Sequence, residues 1–179
     1  MTFHLIDEPL ELISSDVFAD VCEYDGFVYA VLFHQTSICV YETQTWELIR
    51  TINASSISDC DLAIESLRVT SHGIALACAK TLYIYVLDHS GELQQTYCGE
   101  HFDGFFYPRL CSTQSDDSLL VADPGYRRLQ VLYDGKWLEL PIKIYQELPS
   151  SAVVTSHALY ISSFLPLGEA GLLQIYKIT

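Results

Sequence analysis

The chain has 179 residues, half of them apolar and 12% aromatic, enough to bury a sizeable core and too apolar to stay disordered. A formal net charge of −14 disfavours nucleic acid as a partner, because affinity for phosphate backbones is built from basic residues. No apolar run reaches the roughly 20 residues of a membrane helix, and Met1 to Glu8 lacks the basic and apolar regions of a secretory leader, so the sequence reads as cytoplasmic with no membrane contact.

In chain order, the first segment, residues 3–13, is a strand that belongs to no later unit; Pro9 suits an edge position, where its missing N–H faces solvent. A first unit over 17–53 then reads as four strands, with Asp25-Gly26 as the tight turn between the first two. The second unit, 63–98, has strands over 64–70, 73–79, 82–87 and 93–97. Its middle strands are nearly continuous apolar runs, the pattern of strands covered on both faces. The third unit, 108–142, places strands at 110–112, 118–122, 128–133 and 136–140, with Asp134-Gly135 as its last hairpin turn. The fourth, 151–179, supplies three strands, at 152–155, 158–163 and 172–178. Units recur at the roughly 40 to 45 residues of a four-stranded propeller blade. The fold class is therefore all-β: one β-propeller domain, 1–179, of four blade-like units of about four antiparallel strands, with the N-terminal strand closing the last blade. The same count allows two protomers to exchange N-terminal strands and form an eight-bladed homodimer.

Leu120-Val121-Ala122-Asp123-Pro124-Gly125-Tyr126-Arg127-Arg128-Leu129-Gln130-Val131-Leu132 resembles the NHL repeat, with Asp123, Arg128, Leu129 and Val131 in the family's expected slots and Tyr126 where the family prefers Asn. The resemblance covers the third unit, about a fifth of the chain; the first unit is equally similar to a degenerate WD-type blade. It implies a binding module for protein or RNA. It also implies that Asp123 and Arg128 hold a turn together, the carboxylate bonding backbone N–H groups. Family members more often have five or six blades, so four is a departure.

Five of the nine basic residues, Arg109, Arg127, Arg128, Lys136 and Lys143, fall in or just after the third unit. Arg109 and Arg127, with Tyr126 as an aromatic anchor, are the candidate partner-binding residues. Trp46 and Trp137 near outer strands are expected to pack between blades. Six cysteines, all at least 13 residues apart, form no zinc-type pair, and Cys39 and Cys78 read as core thiols. His34, His72 and His157 lie near strand ends, where a shared metal is conceivable, but turn histidines are the simpler reading. No nucleophile elbow, phosphate loop or zinc-protease helix motif is present. The expected function is a non-catalytic protein-interaction scaffold without cofactor or metal, binding a protein partner on its loop face. The alternatives are a lactonase-like hydrolase with a channel metal and an RNA-binding propeller of the NHL type.

Overall fold

A computed structural model describes residues 18–32, 35–54, 57, 64–98, 105–111, 113, 118–133, 135–142, 148–164 and 171–177. Fifteen strands are found among them, in four antiparallel sheets. The first sheet holds β1 (Phe18–Tyr24), β2 (Phe27–Leu32), β3 (Ser37–Glu42) and β4 (Leu48–Asn53). The second holds β5 (Ile64–Thr70), β6 (Gly73–Cys78), β7 (Tyr83–Leu87) and β8 (Leu93–Tyr97). The third holds β9 (Arg109–Cys111), β10 (Leu119–Asp123), β11 (Arg128–Tyr133) and β12 (Lys136–Glu139). The fourth has β13 (Leu148–Val154), β14 (Ala158–Phe164) and β15 (Leu172–Lys177). Strands pair in sequence order within each sheet. The sheets stand as the four blades of a β-propeller, with β1, β5, β9 and β13 packed innermost. The segment 3–13, proposed from its pattern as a closing strand, lies outside the described residues.

Local chemistry sets the hairpins. Asp25 and Gly26 both take positive φ, 50° and 78°, the mirror-image turn whose twist matches the flanking strands. In the second and fourth blades the first hairpin is closed alike. Thr70 Oγ1 accepts the His72 N–H and donates to the Gly73 carbonyl; Thr155 Oγ1 accepts the His157 N–H and donates to the Ala158 carbonyl. Asp88 accepts the N–H groups of Ser90, Gly91 and Glu92 as well as the Ser90 hydroxyl, and these donors hold its carboxyl below the usual carboxylate range. The fourth blade begins at Leu148, three residues before the sequence pattern placed it; a bulge between Pro149 and Ser151 takes the proline into the inner strand.

The core is a stack of blade-to-blade interfaces. Tyr29, Val31, Ile38 and Val40 of the first blade meet Leu67, Ile74, Leu76 and Leu87 of the second. Ala75, Ala77 and Ile84 of the second meet Leu110, Leu119, Val121 and Trp137 of the third. Leu120, Ala122 and Leu129 of the third meet Ala152, Leu159 and Ile161 of the fourth. Because β6 and β10 are covered on both faces, they are apolar without alternation.

A hydrogen bond crosses each junction between inner strands. Asp20 Oδ2 accepts the Leu67 N–H (3.0 Å), Ser66 Oγ accepts the Leu110 N–H (2.7 Å), and Cys111 Sγ accepts the Ala152 N–H (3.2 Å). The three donors stand at equivalent places, opposite Leu76, Val121 and Ile161. Each bond satisfies a backbone group that the side of a sheet would otherwise leave open.

Trp137 seals the second junction, edge-on to Tyr97 and Phe105 at 5.7 and 5.3 Å. Trp46 departs from its expected inter-blade role. It occupies the turn between β3 and β4 at a φ of 59° and is exposed, because the turn carries its side chain off the sheet.

Ser66→Ala is expected to destabilise the protein by about 1–3 kcal/mol, since it leaves the Leu110 N–H buried without an acceptor. Urea unfolding of the two proteins checks this.

Candidate functional site

The third blade builds the best-formed site, and it does so from a buried ion pair. Asp123 ends β10 and Arg128 begins β11, directly opposite in register. Arg128 Nε and Nη2 both donate to Asp123 Oδ2 at 3.1 Å, and both side chains are almost fully buried. Asp123 Oδ1 accepts the Phe106 N–H at 3.0 Å. Burial pushes the Asp123 carboxyl up from its ordinary value, against the pull of the Phe106 N–H and the guanidinium.

This pair pins a second loop. Phe106 donates its N–H to Asp123 and accepts the Gly125 N–H at 3.2 Å, so the loop before β9 is tied to the β10–β11 turn at two points. The fit is close: a Cβ on Gly125 would run into the Phe106 ring. Phe105 is buried under Trp137, which leaves Phe106 and Tyr107 exposed beyond it. Tyr107 and Arg127 hold positive φ, 62° and 53°, a conformation uncommon for such residues and concentrated at functional sites.

The result is an open cleft of about 440 Å³ at the end of the propeller where β5, β9 and β13 begin. Phe106, Tyr107 and Phe164 are its aromatic walls, with Leu148 beside them and Pro124-Gly125 at one side. Arg109 and Glu65, from adjacent inner strands, supply its charge and are paired at 3.3 Å. Tyr126 stands next to it: its ring is edge-on to Phe106 at 6.3 Å and lies 4.8 Å from the Arg128 guanidinium, a cation–π contact. A second cavity, of about 600 Å³, opens between the third and fourth blades; Leu120, Val131, Leu140, Val154, Leu159 and Tyr176 make it almost wholly apolar.

Of the candidate partner-binding residues, Arg109 lines the cleft and Tyr126 supports its aromatic wall. Arg127 is exposed in the turn, Pro124 to Arg127, and does not line it. Asp123 and Arg128, expected from the repeat resemblance to hold the turn, are ion-paired across it at 3.1 Å. Sequence reasoning missed Glu65, Phe106, Tyr107, Leu148 and Phe164. The run Phe105-Phe106-Tyr107-Pro108 between two blades was the available signal, since three consecutive aromatics in a connection cannot all be buried. His72 and His157 share equivalent hairpin turns, whereas His34 lies outside the described residues. Among the described residues, no group of three or more His, Cys, Asp and Glu could hold a metal, and no helix is long and apolar enough to cross a membrane.

No protein-family model matches the chain, and no curated protein matches it. Solved structures do. Kuenenia stuttgartiensis hydrazine synthase superposes with a TM-score of 0.67 at 10% identity, over 89% of this chain and 46% of that one. The RRP9 WD40 repeats give a TM-score of 0.61 at 12% identity, over 89% of this chain and 51% of that one. The computationally designed Ika4 protein gives 0.59 at 10% identity, over 93% and 94%. The chain thus spans about half the length of the first and second of these and nearly all of the third. Identities this low establish the propeller fold and nothing about activity.

Asp123→Ala is expected to cost about 3–5 kcal/mol, because it strands a buried guanidinium; denaturant midpoints measure this. Burial raises the Cys111 thiol to about 11, while Cys98 is exposed. A maleimide applied near neutral pH should therefore modify Cys98 and spare Cys111 until the protein unfolds, as peptide mapping by mass spectrometry would record.

Proposed function

We propose that this protein is a non-catalytic interaction scaffold, and that the cleft at the start of the inner strands takes a segment of a protein partner. The observation that carries this reading is the exposed wall of Phe106, Tyr107 and Phe164 around the Arg109–Glu65 pair. Aromatic side chains supply large contact area at low entropic cost, and arginine adds directed hydrogen bonds; both are enriched among residues that dominate binding energy. The cleft accepts an apolar anchor side chain, with a polar neighbour on the partner exchanging contacts with Arg109 or Glu65. WD40 repeats among the similar folds support a scaffold reading, since variable loops on a rigid propeller can change partner without disturbing the core. The third blade is, on this reading, an NHL-type repeat, and the others have drifted from it. The net charge of −14 favours a protein over an RNA partner.

A displayed peptide library selected on the 179-residue protein tests the proposal. Recovered peptides should share an apolar anchor and lose about tenfold or more in affinity, roughly 1.4 kcal/mol, on Tyr107→Ala. Arg109→Glu should weaken them as well, and Gly125→Ala should do so by displacing Phe106. Peptides that bind all three variants as well as the parent would overturn it.

A further inference from the structure

The four blades repeat one rung of three residues across their first three strands: Asp20–Val31–Ile38, Ser66–Ala77–Ile84, Arg109–Ala122–Leu129 and Ser151–Ser162–Leu173. In the first three blades the third member is sealed under the next blade: Ile38, Ile84 and Leu129 are 0%, 0% and 1% exposed. Leu173, in the same slot of the fourth blade, is 62% exposed. Val153, Tyr160 and Ile175 form the neighbouring rung on that face and are exposed too. The fourth blade thus presents an apolar face of the kind that every earlier blade buries.

The first blade presents the opposite half of a junction. Leu67, Leu110 and Ala152 each donate an N–H to the preceding blade and are 0%, 3% and 1% exposed. Val21 holds their place, opposite Ala30, and is 54% exposed. Among the described residues its N–H is bonded locally, to the carboxylate of Asp20 at 2.9 Å. At the other end Ser151 stands where Asp20 and Ser66 accept such a bond, and it is exposed.

We infer that the fourth blade docks on the first blade of a second copy of this chain, and the second copy's fourth blade on the first of the original, giving an eight-bladed ring of two chains. The Ser151 hydroxyl of each copy faces the Val21 N–H of the other, repeating the bond that Asp20 and Ser66 accept at the first two internal junctions. Two observations favour a second copy over closure of the chain on itself. Among the described residues the two end faces stay exposed, and β1 does not pack on β13 as β1 packs on β5, β5 on β9 and β9 on β13. The curvature also follows larger rings, because the four blades superpose on about half of the RRP9 WD40 repeats. Two identical head-to-tail junctions related by a twofold axis close the assembly and leave no end to grow from.

Light scattering coupled to size-exclusion chromatography tests this on the intact chain. The expected mass is twice 20.2 kDa. Ile175→Arg and Val21→Glu each alter an exposed position, so both variants should keep the parent's circular dichroism while running at half the parent's mass. Mixing them should restore a dimer, because one junction of the mixed pair is then wholly unaltered and the other sets Arg against Glu. A monomer at every concentration, a dimer indifferent to both substitutions, failure of the mixture to pair, or growth into filaments would each overturn the inference.

Discussion

Middle strands such as β6 and β10 are covered on both faces, and that constraint governs the molecule. A blade cannot bury such strands by itself; it does so against its neighbours, and the junction is the unit from which the fold is made. Small residues at Ala75, Ala77 and Ala122 let the sheets approach, while Trp137 fills space across from the first two and Ile161 across from the third. The inner-strand bonds from Leu67, Leu110 and Ala152 fix how each blade is set against its neighbour, because a hydrogen bond is directional where apolar packing is not.

The cleft follows from the same arrangement. Inner strands of successive blades start at one end of the propeller, so side chains near the starts of β5, β9 and β13 converge there from three blades. What makes a surface of this convergence is the Asp123–Arg128 pair. A buried ion pair is seldom a net source of stability, since the desolvation of two charges offsets their attraction. Its effect here is positional: three donors on one carboxylate hold two loops together, and the aromatic rings of Phe106, Tyr107 and Tyr126 are presented to solvent by that tie. In the paired ring inferred above, the twofold axis runs through the channel. Both copies of the cleft then open on the same side, so a partner with two such segments could engage both at once.

The strand pattern was legible because each physical cause is local. Alternation, turn residues such as Asp25-Gly26 and continuous apolar runs place most strands of the blades within a residue or two, and the Asp123–Arg128 relation was readable as a turn between two strands. The cleft was not legible to the same degree. Arg109 and Tyr126 stood out as a cation and an aromatic on an acidic chain, but Glu65, Leu148 and Phe164 come from other blades, and no spacing in the chain announces that they meet. Trp46 shows the converse: a large apolar residue near a strand looks like packing until its backbone conformation turns it outward.

By itself, then, the sequence determined an all-β chain, its four-unit repeat and the turn chemistry between strands, since periodicity and short-range hydrogen bonding act over a few residues. Only the tertiary structure decided which faces are buried, which residues share the cleft and that the two end faces are left open. Those outcomes depend on the angle between blades, and that angle is set by side-chain volumes meeting across gaps of 40 or more residues in the chain.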